Sequence, residues 1–268
     1  MSKRYGWKPD MPDHRDLAFL AASRRPRLLS LPPRISLLDT GWMPPVYDQG
    51  DLGSCTANAI AAAIDYERAQ TKQPFIHPSR LGIYYAERAL EGTLEQDSGA
   101  EIRDGIKVVA SQGVGPESVW PYDPAKFAQE PGDDYYTAAL ANVVRAYSRL
   151  TGTDPIELKS CLVSGNPFVF GFTVYPGFES DEAARTGTVP MPNGTDGPVG
   201  GHAVLCVGYD DTVTVPGAPM GVFIVRNSWG VDWGLQGYFM IPQAYLTNDN
   251  LATDFWHVTT VGYGPTQP

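Results

Sequence analysis

The chain has 268 residues, 43% of them hydrophobic and 19% charged, enough apolar side chain for one large or two ordinary domains. Its formal net charge of −10 repels phosphate and argues against nucleic acid as a partner. No stretch approaches the roughly 18 apolar residues of a membrane span, and the N-terminus lacks the apolar run of a secretory signal. No membrane partner and a cytoplasmic location are therefore expected, with specialised export leaving no mark in the sequence.

The first 34 residues stand apart by charge. Lys3, Arg4, Lys8, Arg15, Arg24, Arg25, Arg27 and Arg34 outweigh Asp10, Asp13 and Asp16 by +5, which leaves −15 on the remainder. A basic arm is attracted to an acidic body. Tyr5, Trp7, Leu17, Phe19 and Leu20 add apolar surface for docking, so residues 1–30 are expected to be a short proregion or regulatory arm that packs on the body and hinders its cleft. The Arg24-Arg25-Pro26-Arg27 stretch is expected to be an exposed linker. The plainer alternative is an arm that braces the fold without regulating it.

Gln49 opens the run Gly50-Asp51-Leu52-Gly53-Ser54-Cys55, which leads into TANAIAAAIDYERAQ. This alanine-rich composition predicts a helix over 54–70, with Ala57, Ile60, Ala61 and Ile64 on one apolar stripe and Asp65, Arg68 and Gln70 largely off it. Cys55 then sits at a helix N-terminus, where unpaired N–H groups and partial positive charge favour the thiolate. A lone cysteine there is also readable as a small buried hydrophobe. Two more helices are predicted at 79–90 and 101–112, the second ended by Gly113-Val114-Gly115-Pro116-Glu117.

After about Ala141 the pattern changes to strands: NVVRAYSRL, PFVFGFTVY, HAVLCVGYD, GVFIVRNSW, GYFMIP and DFWHVTTV, with one helix around 154–164. Helices first and sheet second predict an α+β fold. The Gly/Pro-rich segment from Pro176 to Gly201 is expected to be a loop rimming a cleft. His202 follows two glycines at the start of one strand, and Asn227 and Trp229 end the next at a glycine-bounded turn. An Asn oxygen that accepts from one imidazole nitrogen leaves the other for a thiol, and a tryptophan there shields that bond from water. The site then falls between the helical half, which carries Cys55, and the sheet half. Cys161 and Cys206 are expected in the core, and His14 and His77 at the surface. The histidines lack metal-ligand spacing, and Asp133-Asp134, Asp210-Asp211 and Asp249 read as surface turns rather than a calcium loop, so no metal or organic cofactor is expected.

The segments QGDLGSCTA, GGHAVLCVGY and VRNSWGVDWGLQGYFMI resemble the three active-site blocks of the papain-like cysteine peptidases, in the same order of Cys, His and Asn. Asp97-Ser98-Gly99 resembles the family's glycine-bearing loop, and Trp120-Pro121-Tyr122-Asp123 its Tyr-Pro-Tyr segment, so the resemblance spans about residues 31 to 262. The opening YGWKPDMPDHRD is similar to short-proregion bacterial members of the xylellain kind. What the resemblance implies is a two-lobe papain-like fold after the 1–30 arm. Its peptidase domain covers 31–265, with a helical lobe over about 31–135, an antiparallel β-barrel-like lobe over about 136–265, and the cleft between them.

By the same resemblance Cys55 is the nucleophile, His202 its general base and later acid, Asn227 the orienter, and Gln49 an oxyanion donor together with the Cys55 N–H. Substrate contacts are implied for Gly99 and Ser98 along the peptide backbone, and for Gly201 and Ala203, with Gly171, around a roomy pocket whose base involves Trp256 or His257. Trp229 and Trp233 complete that set, Trp233 on the leaving-group side. Leu52 and Thr56 stand where many members have Cys and Trp, which removes one family disulfide and one aromatic wall but keeps the spacing from Gln49 to Cys55. The implied activity is that of a monomeric endopeptidase acting on peptide or protein substrates without a cofactor. A transamidase using the same trio, a non-catalytic binding module and a deubiquitinase-like processing enzyme are the alternatives. A binding module need not keep all four of Gln49, Cys55, His202 and Asn227, and no recognition feature marks a deubiquitinase.

Overall fold

Small side chains make the run after Ser54 the axis of the fold. In the computed structural model, which describes residues 4–19 and 31–262, helix α1 (Cys55–Gln70) is buried from Cys55 through Arg68. The single apolar stripe expected of it is therefore not what forms. Asp65 and Arg68 lie inside with local partners: Asp65 accepts from the N–H groups of Ile76 and His77 at 3.0 and 3.1 Å, and Arg68 donates to the Pro74 carbonyl and the Asn142 side chain. Alanine-rich surfaces let neighbours approach on every side, so the polar residues are enclosed rather than solvated.

Helix α2 (Arg80–Glu91) begins where the Ser79 hydroxyl accepts from the Gly82 N–H at 3.0 Å, and it ends at Gly92 in the left-handed region. Helix α3 (Ile102–Ser111) crosses the other two at Gly105, where a Cβ would stand 2.2 Å from Glu87 and 2.5 Å from Ile60. Helix α4 (Asp133–Ala139) starts on the Asp133-Asp134 pair that the sequence suggested was a turn; carboxylates in a first turn complement the helix dipole. Fully buried Arg88 organises the loop after α2, donating to the carbonyls of Tyr84, Leu94, Gln96 and Phe127.

Among the described residues, strands β1 (Trp7–Lys8) and β3 (Ala100–Glu101) form a small parallel pair. The larger sheet has seven antiparallel strands. Strand β2 (Arg34–Ser36) pairs with β6 (Gly200–Asp210), and the remainder run in the order β4 (Val143–Arg149), β9 (Ala252–Gly262), β5 (Phe168–Val174), β6, β7 (Val222–Arg226), β8 (Tyr238–Pro242). Phe168, Phe170, Phe172 and Phe223 fill its core, and α1 packs against β6 and β9. Helix α5 (Pro155–Val163) is capped by Asp154, whose carboxylate accepts from the Ile156 N–H. The expected loop from Pro176 to Gly201 contains helix α6 (Asp181–Thr186), capped by Ser180; its acidic first turn and serine cap are the local signals that were masked by the surrounding glycines and prolines. The short α7 (Gln243–Leu246) follows β8.

Cys161 and Cys206 are buried free thiols, while His14 and His77 are exposed. No described helix is long and apolar enough to cross a membrane, and no described cluster of His, Cys, Asp or Glu could hold a metal ion. Replacing Arg88 by Met removes the donor from three part-buried loop carbonyls. The expected cost is about 3 kcal/mol or more in a denaturant titration, since charge-assisted hydrogen bonds are lost without replacement.

Candidate active site

The seam between helices and sheet is built from residues 44–49. Arg226 at the end of β7 donates to the carbonyls of Pro44 and Pro45, and Arg80 donates to the Asp48 carbonyl, Asn58 and Glu117. Both guanidiniums lie over the Tyr47 ring, at 4.6 and 4.9 Å. The Gln49 N–H then donates to the Ser228 carbonyl at 2.9 Å, and the Ser228 hydroxyl donates to Gln49 Oε1 at 2.6 Å. That second bond fixes the amide: Oε1 is occupied, so Nε2 points to the Leu52 carbonyl at 2.9 Å and to the Arg4 carbonyl at 3.3 Å. Tyr122 donates to the Gln49 carbonyl and lies 2.6 Å from the Ser54 hydroxyl, so the WPYD segment braces the turn into α1.

Cys55 is the first residue of α1, and its Sγ accepts from the N–H of Ala203, the residue after His202, at 3.4 Å. His202 Nε2 is 2.9 Å from Asn227 Oδ1. Trp229 stacks on the imidazole at a 30° tilt with ring centres 5.2 Å apart, and Phe178 and Phe172 close other sides; His202 and Cys55 are both fully buried. Trp233, half-buried, packs edge-on to Trp229 at 5.2 Å. The structure thus brings Gln49, Cys55, His202, Asn227, Trp229 and Trp233 into one place. Thr56 does not leave a gap: its hydroxyl donates to Glu87 at 2.8 Å, and burial pushes that carboxyl well above the ordinary range.

Residues 4–8 run across this site. The Tyr5 ring meets His202 edge-on at 5.9 Å and its hydroxyl donates to Glu179 at 2.6 Å; the Gly6 carbonyl accepts from the Ala100 N–H at 2.7 Å. Backbone passes backbone so closely that a Cβ on Gly6 would stand 1.7 Å from the Gly53 oxygen, and one on Gly99, 2.0 Å from the Gly6 oxygen. Gly99, in the left-handed region, spends its N–H on the Tyr84 hydroxyl, and Ser98 contacts Thr93 and the Lys8 ammonium. The peptide-pairing N–H in this loop is therefore that of Ala100. With the arm seated, the thiolate bias expected of a helix N-terminus is reversed: burial pushes the Cys55 thiol up to about 11, although N–H groups of Ala203, Gly6 and Thr56 pull the other way.

Trp7 fills a slot flanked by Gly171 and Gly201, where added Cβ atoms would meet its ring at 2.0 and 2.7 Å. The end of that slot is Asp254, whose Oδ2 accepts from the indole N–H at 3.1 Å, and not Trp256 or His257. Trp256 instead donates to Asp10, and His257 packs under Phe19 near Glu67. Asp254 takes a left-handed backbone conformation where the β5–β9 register shifts, a break that pattern-reading of a strand cannot place. Charge also differs from a simple basic arm on an acidic body. Arg4 pairs with Asp97 and Lys8 with Glu91, but farther on the arm is the acid: Asp16 bonds Arg103 and Arg149 at 2.7 and 3.0 Å. Leu20 and the Arg24-Arg25-Pro26-Arg27 stretch lie outside the described residues.

Comparison with known proteins agrees with this architecture. The pattern described as Papain family cysteine protease matches residues 31–259. Xylellain, a cysteine protease from Xylella fastidiosa, superimposes with a TM-score of 0.84 at 42% identity, covering 97% of this chain and 98% of that one. An uncharacterized peptidase C1-like protein of Acanthamoeba polyphaga mimivirus is 39% identical across 97% of this chain and 88% of its own length. Bovine pro-cathepsin H is 27% identical, with the match covering 79% of this chain and 60% of that protein. A family match over most of the chain, two relatives near 40% identity and an α+β body with a cysteine at the mouth of its central helix lead to one assignment: this chain belongs to the papain family of cysteine proteases.

Proposed function

We propose that the chain is a cysteine endopeptidase whose chemistry runs through Cys55, His202, Asn227 and Gln49, and that residues 4–19 restrain it by lying in the cleft. The observation that carries this reading is a peptide carbonyl, that of Arg4, placed 3.3 Å from the Gln49 amide nitrogen beside Cys55. A substrate's reacting carbonyl needs the same donor, so arm and substrate compete for it.

With the arm displaced, the Cys55 sulfur regains water, and the field of the α1 N-terminus is no longer outweighed by burial, so its pKa falls. Asn227 holds Nε2 of His202, which leaves Nδ1 to take the thiol proton. The thiolate attacks the peptide carbonyl carbon. Negative charge develops on the carbonyl oxygen, where the Gln49 amide and the Cys55 N–H donate to it. His202 returns the proton to the departing amine as the C–N bond breaks, leaving a thioester. It then takes a proton from water, whose oxygen displaces the sulfur and releases the acid. The lock formed by Ser228 on Gln49 matters because an amide flipped by half a turn would offer an oxygen to the developing charge.

Two outcomes test the reading in the full chain with a fluorogenic peptide under reducing conditions. Gly6→Ala, which cannot seat against the Gly53 oxygen, should raise turnover by about tenfold or more and speed alkylation of Cys55, the return on ~1–2 kcal/mol of lost docking. Unchanged turnover with a folded protein would sink the arm's role. In that background Cys55→Ala should abolish hydrolysis, and Gln49→Ala should lower kcat by about 100-fold to 1000-fold with KM nearly unchanged.

A further inference from the structure

The arm is fastened to the body by an unusual balance of charge. Three carboxylates converge there: Asp10 and Asp16 from the arm and Asp254 from β9. Asp10 and Asp254 have no side-chain exposure, and Asp16 is 12% exposed. Among the described residues two guanidiniums bond them, Arg103 from α3 and Arg149 from β4, while Arg15, exposed beside Asp16, is taken up by Asp13 at 2.5 Å. Asp254 bonds Arg149 at 2.8 Å, Asp16 is shared by both arginines, and Asp10 stands 3.9 Å from Arg103 and 3.7 Å from Arg149. Asp10 also accepts from the Trp256 indole at 3.0 Å, while its own N–H donates to Asp254 Oδ2 at 2.8 Å.

Three negative charges against two positive ones leave one uncompensated in a buried place, which is costly unless a proton is taken up. Asp13 and Arg15 pair with each other and add no net charge to the cluster. Glu101 on β3 is acidic, and Asp13, His14 and Asp249 line an adjoining cleft of about 410 Å³ that reaches Asp16, Arg149 and Asp254 and gives protons a path. Burial first, and then the Asp254 charge, hold the Asp10 carboxyl well above its ordinary range; burial also raises that of Asp254.

We propose that this cluster is a proton-operated latch: the arm seats with one extra proton shared between Asp10 and Asp254, and rising pH drives the arm off the cleft. The inference rests on the arm being the restraint on the site. Its sign follows from linkage. When the arm leaves, Asp10 and Asp16 return to water and Asp254 keeps Arg149, so the released state binds fewer protons. Docking is strongest below the ordinary carboxylate range and weakens as pH climbs toward the raised values of the seated pair.

The test reads docking directly and does not need activity, so it fails separately from the peptidase reading. Backbone hydrogen–deuterium exchange of residues 4–12 is followed in the full chain from about pH 5 to about pH 8.5, corrected for the intrinsic rate. The opening constant should rise with pH, by up to about tenfold per unit at its steepest. Asp10→Asn, a neutral isostere that still accepts from Trp256, should flatten the slope, and so should Asp16→Asn, which matches two carboxylates to two guanidiniums. Should Asp10→Asn leave the arm open at every pH, the slope of Asp16→Asn decides: flat supports the latch, wild-type-like overturns it. A wild-type opening constant that is level or falls with pH overturns it as well.

Discussion

Two bonds between Gln49 and Ser228, one backbone and one side chain, join the helical half of this protein to its sheet at the site itself. Because the Ser228 hydroxyl takes Oε1, the amide has one orientation, and because the Gln49 carbonyl is held by Tyr122, the turn into α1 has one course. Cys55 inherits its position from that turn, while His202 and Asn227 inherit theirs from the antiparallel register of β6 and β7. Neither half could set the geometry alone. Arg80 and Arg226, clasping Tyr47 between them, make the seam rigid with buried charge rather than with a disulfide.

Close approach of backbones is what allows residues 4–8 into so narrow a place. Gly6, Gly53 and Gly99 meet without side chains, and Gly171 and Gly201 open the slot for Trp7. Burying the indole contributes on the order of 4 kcal/mol, and the ion pairs with Asp97 and Glu91 are partly exposed and add little by comparison. The enclosed Asp10 contact is the term with the larger range, since its free energy depends on whether a proton accompanies it.

Much of the candidate site was legible because its residues sit in contiguous motifs. A glycine-rich turn before an alanine helix locates Cys55, and strand ends locate His202 and Asn227, so the four residues could be named from short segments. Charge counting along the first 34 residues pointed to basic contacts on an acidic body, which Arg4 and Lys8 make, yet missed the acidic contacts of Asp10 and Asp16. Net charge averages over positions, and Asp10 and Asp16 face Arg103 and Arg149, residues separated from them by most of the chain's helical half. Asp254 was invisible for a different reason: a register break in β9 turns it inward, and strand periodicity carries no mark of such a break. Helix α1 misled through its own composition, since alanine gives the same helical signal whether one face or every face is buried.

The Cys55 thiol is raised by the same segment that covers it. An inhibitory segment that only blocked the cleft would leave a reactive thiolate beneath it, open to oxidants small enough to slip past. Here the covering segment also removes the water that the thiolate needs, and the N–H of Gly6 offsets that loss only in part. Access and ionisation are thus set by the same few residues. On the proposed reading, withdrawal of the arm changes both together, and the cysteine gains its nucleophilic form only when a substrate carbonyl can reach the Gln49 amide.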